Sequence, residues 1–254
     1  MRHIHLLLAG AMLAAAPAGL AAAQTVTAKM KAAVADPARP EADKARDEGR
    51  KPAEMLAFAG ITPGKVVVDL LPGGGYFTRI FAKAVEPGGR VYAYFGTQYD
   101  DRLKKQGKDP DNQFADLKKI YPDLSVVHGP LAKFVTPQKV DVVWTSLNYH
   151  DMHNAAYDMD VNTVNKMIFQ SLKPGGYYVI VDHRAAADAP ADVTSTLHRI
   201  PEARVKKEVE AAGFKLVAES NALANPKDNH AEKVFESDIR GHTDQMVLKF
   251  QKPR

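Results

Sequence analysis

Cysteine is absent from all 254 residues of the chain. That excludes disulfides, a thiolate nucleophile and any zinc–thiolate centre, so the fold must be held by core packing alone. A strong excess of charge of one sign is also missing. The 34 Lys and Arg stand against 30 Asp and Glu, interspersed along the chain, for a net charge of +4. Such a mixture provides no face for nucleic acid. No internal repeat or low-complexity tract is evident. Hydrophobic runs long enough to cross a bilayer are lacking too, because the apolar stretch Ile4 to Ala16 falls short of the roughly 20 residues a spanning helix needs.

That stretch follows Arg2 and His3, carries His5 at its start, and is itself followed by Pro17 and Gly19, which would break a buried helix. Ala21, Ala22 and Ala23 then place small residues where a signal peptidase reads. The sequence therefore predicts a signal peptide over 1–23, cleaved after about Ala23, and a periplasmic or secreted mature protein without a membrane span. A composition of 45% apolar and 25% charged residues is that of a soluble globular body. At this length one α/β domain with a large core is expected. Residues 24–48, rich in alanine, charge and proline, are expected to form an N-terminal arm with some helix and little core, folding over a site.

From Arg50 onward, short β-rich runs alternate with amphipathic helices, the pattern of a parallel sheet covered on both faces. Pro52 opens a helix that Gly60 ends. Strands are expected at Lys65 to Leu71, Arg90 to Tyr94, Leu124 to Val127, Val140 to Leu147, Tyr177 to Asp182, Phe214 to Glu219 and Gln245 to Phe250. Helical spacing marks the stretch after Gly75, then Gln113 to Ile120, Asp160 to Leu172 and Pro201 to Ala212, with Lys173-Pro174-Gly175-Gly176 stopping the third of these. Trp144 and the neighbouring tyrosines read as core. A long excursion separates the last two strands.

The first strand runs into three glycines, as VVDLLPGGGYFT. Such a turn lets the backbone approach a ligand closely and aims a helix N-terminus at it. Together with PGGRVYAY, DVVWTSLNYHD, LKPGGYYVIVD, EVEAAGFKLVAES and QMVLKF in that order, residues 49–254 resemble the class I S-adenosylmethionine-dependent methyltransferases, in particular a branch of exported ones. The resemblance implies a Rossmann-like fold, with a mostly parallel seven-stranded sheet, helices on both faces and an antiparallel last strand. It also implies S-adenosylmethionine as cofactor and a small molecule or envelope component as methyl acceptor.

The family pattern at the first turn is acidic-x-Gly-x-Gly-x-Gly. Laid on this chain, it makes Asp69, Leu71, Pro72, Gly73, Gly74, Gly75 and Tyr76 cofactor-binding, joined by Asn148 after the fourth strand. Two departures stand out. Leu71 occupies the first glycine position, and Phe95 occupies the place of the acidic residue that receives the ribose hydroxyls, with Asp100 or Asp101 near enough to reach back. Near adenine the chain has His128-Gly129-Pro130.

Ligands of open α/β sheets sit at the carboxyl ends of the strands where the strand order reverses. There Asn148-Tyr149-His150-Asp151 follows the fourth strand and Asp182-His183-Arg184 ends the fifth. His150 is the candidate general base, with Asp151 raising its basicity and fixing its tautomer, and His183 is the second candidate. The structural alternative is that these groups cap helices and bond loop amides. His153, His198, Asp228 and His230 add further potential ligands, but they are scattered without a tight ligand motif, and no metal is assigned. The functional alternative is a periplasmic binding protein, or a metal-assisted hydrolase or lyase, on a methyltransferase fold that has lost its cofactor. The oligomeric state is left open.

Overall fold

The computed structural model describes residues 25–154 and 159–254. The leader read over 1–23 lies outside the described residues. No described helix is long and apolar enough to cross a membrane.

Four helices precede the sheet: α1 (Ala28–Val34), α2 (Glu41–Lys44), α3 (Asp47–Arg50) and α4 (Pro52–Ala59). Then follow β1 (Val66–Leu70), α5 (Tyr76–Ala84), β2 (Arg90–Gly96), α6 (Thr97–Lys105), α7 (Ala115–Ile120), β3 (Leu124–Gly129), β4 (Val140–Ser146), α8 (Val161–Ser171) and β5 (Leu172–His183). The chain closes with α9 (Val193–Thr196), α10 (Glu202–Ala211), β6 (Lys215–Ser220) and β7 (Gln245–Gln251). The strands form one sheet in the order β3-β2-β1-β4-β5-β7-β6. The first five are parallel, and β7 runs antiparallel to both β5 and β6. The expected fold class is thus the observed one.

Both faces of the sheet are buried, which is why β1 reads as an uninterrupted apolar run rather than an alternating one. On one face α1, α4 and α5 cover Val67, Val91, Val142 and Trp144; on the other α8 and α10 cover Val68, Val143, Ile180 and Leu248. Phe77 and Phe81 of α5 both rest on Trp144, at 4.8 and 5.5 Å between ring centroids. Burying each phenylalanine is worth about 1.5–3 kcal/mol, and together they fix α5 and the turn before it.

Three elements differ from the sequence reading. Residues 28–50 do contribute to the core, because Met30 and Ala33, one helical turn apart, are buried against α4 and α5. Strand β5 begins at Leu172 instead of after the glycines: Leu172 pairs with Val140, and the register then shifts before Tyr177 pairs with Val142. The Pro-Gly-Gly stretch is therefore an irregular entry into the strand, where a side chain at position 176 would strike the carbonyl oxygens of Lys173 and Asp141. Helix α6 is not foreseen, since only Asp100 and Leu103 of its nine residues are buried.

Candidate functional site

The strand order reverses between β1 and β4, and the carboxyl ends of β1, β2 and β4 frame a cavity of about 270 Å³. Its walls include Leu71, Gly73, Phe95, Gln98, Asn148 and Asp151. The Asn148 side-chain amide donates to the carbonyls of Leu71 (3.1 Å) and Ser146 (2.6 Å), tying the ends of β1 and β4 together.

The glycine turn is shaped as expected. Gly73 and Gly75 adopt φ of 55° and 81°, in the left-handed region. Nothing lies within 4 Å of where side chains at 73 and 74 would stand, so this backbone is open to a ligand. Position 75 is different, because the Phe114 ring packs where a Cβ would be, 2.8 Å away. Leu71, at the family's first glycine position, holds φ 59°. It keeps the glycine conformation without the glycine, at a cost of roughly 1–2 kcal/mol. Leu147, at the end of β4, does the same at φ 60°. Backbone strain of this kind concentrates at functional sites.

Two residues assigned to the cofactor by the family pattern face elsewhere. Asp69 is buried beneath the turn and accepts from the Thr78 hydroxyl at 2.6 Å. Burial pushes its carboxyl up to about 7, against the lowering effects of Thr78 and Arg50. Tyr76 turns its hydroxyl to Asp47 at 2.5 Å, and the guanidiniums of Arg39, Arg46 and Arg50 lie over its ring. Residues 39–50 thereby cover the start of α5: Arg39 is buried and bridges Asp47 with both terminal nitrogens while also donating to the Val34 carbonyl. Arg79 joins Asp43 to the Gly74 carbonyl.

Phe95 is buried, with Tyr99, Phe114 and His128 around it at 4.8, 5.3 and 5.5 Å between ring centroids. Asp100 does not reach into the cavity; its carboxylate meets His128 Nδ1 at 2.8 Å. The polar group at the end of β2 is Gln98, whose Oε1 stands 3.1 Å from the position of a Cβ on Gly96. Sequence reading passed over it because one polar residue after a strand carries no pattern.

The second cluster lies beside this cavity. His150 is buried; its Nδ1 meets Asp182 at 2.7 Å, and its backbone N–H donates to the other carboxylate oxygen at 2.7 Å. The orienting carboxylate of His150 is thus Asp182, with Asp151 3.4 Å from Nε2 on the other side. Burial pulls the His150 imidazole down, but the Asp182 carboxylate outweighs it and holds the ring above its ordinary value. Burial pushes Asp182 up, and His150 with the backbone donors more than compensates, leaving it below the usual carboxylate range. Asp151 itself lines the cavity and also approaches His198 Nδ1 at 3.3 Å. His183 packs beside this pair, its ring 5.7 Å from that of His150 between centroids, but its Nδ1 meets Thr243 Oγ1 at 2.7 Å and burial lowers it to about 4. It is not among the residues lining the cavity. Arg184 pairs with Glu202 and Asp244, His153 with Glu208, and Asp228 with the fully buried Arg199.

Among solved structures, the chain is similar to an S-adenosylmethionine-dependent methyltransferase from Aquifex aeolicus, with a TM-score of 0.53 and 16% identity over 84% of this chain and 98% of that one. It is similar to the 1,6-didemethyltoxoflavin N1-methyltransferase of Burkholderia thailandensis, solved with its substrate and S-adenosylhomocysteine, at TM-score 0.53 and 20% identity over 89% and 79%. The fold is that of the class I methyltransferases. A possible exported protein from Bordetella parapertussis shares it, at TM-score 0.51 and 16% identity over 83% of this chain and 68% of that one. No protein-family model matches the sequence, and no curated protein does. At these identities the likeness concerns the fold.

Proposed function

We propose that the protein is an exported S-adenosylmethionine-dependent methyltransferase acting on a small molecule. The observation that carries this reading is the cavity at the carboxyl ends of β1, β2 and β4, with the unobstructed Gly73-Gly74 backbone on one side and Gln98 on the other. These residues fit the cofactor. The open turn and Asn148 would take the amino-acid end, and Gln98 Oε1 would accept from a ribose hydroxyl in place of the acid missing at Phe95. An amide accepts a weaker hydrogen bond than a carboxylate, so affinity is expected to be modest. The apolar surface of Phe95, Tyr99 and Leu131 in the same wall suits a flat ring.

When bound, the cofactor supplies an electrophilic methyl group. The residues of this chain align the acceptor and manage its proton. Asp151 is the ionisable group of the pair that reaches the cavity, and His150 stands behind it, oriented by Asp182. The proton of an acceptor hydroxyl or amine passes to this Asp151–His150 pair. Export is supported by the leader read over 1–23.

Calorimetric titration with S-adenosylhomocysteine tests the proposal. One saturable site is expected; no heat at millimolar ligand would sink it.

A further inference from the structure

Two adjacent ligating side chains, His150 and Asp151, meet a third from a distant segment, His198, at the edge of the cavity. His150, Asp151 and His198 each offer one atom, and these atoms all lie within 4.8 Å of one another. The Asp151 Oδ1 atom stands 3.4 Å from His150 Nε2 and 3.3 Å from His198 Nδ1. We propose that this cluster is a mononuclear site for a divalent transition metal ion of the zinc, manganese or iron(II) class, opening toward the cavity.

The separations suit the chemistry. Bonds of about 2.0–2.2 Å to imidazole and carboxylate put neighbouring ligand atoms roughly 3.3 Å apart in a tetrahedral shell, close to the two distances observed. Closing the third edge takes a small swing of the half-buried His198 ring. Two imidazoles and one carboxylate favour borderline ions over calcium or magnesium, which prefer all-oxygen shells. Three protein ligands leave at least one position open.

The surroundings are built for ligation. His150 cannot rotate away: Asp182, fully buried, takes its Nδ1 at 2.7 Å, so Nε2 is the atom presented to the cluster. A carboxylate behind a ligating histidine is the usual outer-shell arrangement. Asp182 is itself fixed by the backbone N–H groups of His150 and His183. His198 sits in the left-handed region at φ 55°, a strained conformation for a residue with a side chain. That conformation sets its ring edge-on to His150 at 5.5 Å, with Phe235 on it at 4.8 Å. A metal gives the strain a purpose, since it is what brings a residue 47 positions away onto Asp151.

Because Asp151 also lines the cavity, a small molecule there can reach the open position with a hydroxyl or carboxylate oxygen. The ion would act as a Lewis acid, lowering the proton affinity of the oxygen it binds. With an ion bound, His150 and Asp151 are its ligands and no longer take the acceptor's proton, so this inference replaces that part of the methyl-transfer reading, and it can stand if the rest of that reading fails.

The test is titration of chelator-treated protein with Co²⁺, followed by the visible absorption of the bound ion, and then with Zn²⁺ in competition. One equivalent is expected. His198→Gly, which suits the left-handed backbone, and Asp151→Ala should each weaken Co²⁺ binding at least tenfold, and Asp182→Asn by about 10–100-fold. Circular dichroism of each variant without metal checks that the fold is kept. Failure to bind Co²⁺, or equal affinity in His198→Gly, Asp151→Ala and the parent, would overturn the proposal. S-adenosylhomocysteine is left out of these titrations, so the metal result is independent of cofactor binding.

Discussion

The Asp69→Asn variant separates a structural acid from a cofactor ligand. Asp69 lies in β1 between Ala93 of β2 and Trp144 of β4, is buried, and accepts one short hydrogen bond from Thr78. Its carboxyl is at 3.8 in the open chain and about 7 in the fold. A raised carboxyl takes up a proton on folding, so its contribution to stability is complete below 3.8 and is lost as pH rises through 7. At 1.36 kcal/mol per unit, the difference amounts to about 4 kcal/mol. Asparagine has nearly the same shape, can still accept from Thr78, and never ionises. Urea unfolding at several pH values from 4 to 8 should therefore show the variant level with the parent near pH 4 and more stable by up to about 4 kcal/mol at pH 8. Affinity for S-adenosylhomocysteine should be unchanged, because Asp69 does not line the cavity. A variant that is less stable than the parent at pH 8, or a difference that does not vary with pH, would refute the reasoning.

Arg39→Ala removes a fully buried guanidinium from between α1 and α3 and leaves the half-buried Asp47 still holding the Tyr76 hydroxyl, so a loss of about 1.5–3 kcal/mol in urea unfolding is expected. Gln98→Ala should weaken S-adenosylhomocysteine by about fivefold in calorimetry, the worth of roughly 1 kcal/mol for one neutral hydrogen bond, with the far-ultraviolet spectrum unchanged.

All seven strands were legible in the sequence because a doubly covered sheet needs apolar runs such as Val66 to Val68, and turns such as Gly73 to Gly75 need residues tolerant of positive φ. Helix α6 was not, since its nine residues are almost all polar and Leu103 is its only buried apolar side chain. The arm looked polar because its attachment runs mainly through charge: Arg39 pairs with Asp47, Asp47 takes the Tyr76 hydroxyl and Asp43 pairs with Arg79, while its buried apolar residues in the core are Met30 and Ala33, with Val26 and Val34 packed at the margin.

At the site, local motifs were readable and long-range pairings were not. The glycine turn and the Asn148 to Asp151 stretch do meet at the end of β1 and β4. Asp182 and His183, expected to share the crevice, are successive residues of a strand that continues through both, paired with Met246 and Gln245. Successive side chains of a strand diverge, so Asp182 takes the His150 Nδ1 while His183 only packs its ring on His150, at 5.7 Å between centroids, and turns its own Nδ1 to Thr243. That His198 reaches Asp151 depends on the packing of the short helix α9 beside the turn at His150–His153, a tertiary fact with no local pattern.

The most direct test of the central claim is to map amide chemical shifts of the isotope-labelled protein during titration with S-adenosylhomocysteine. Saturable shifts concentrated at Gly73, Gly74, Gln98 and Asn148 are predicted, with the far edge strand β6 silent. No shifts at millimolar ligand, or shifts confined to residues away from the ends of β1, β2 and β4, would contradict the account.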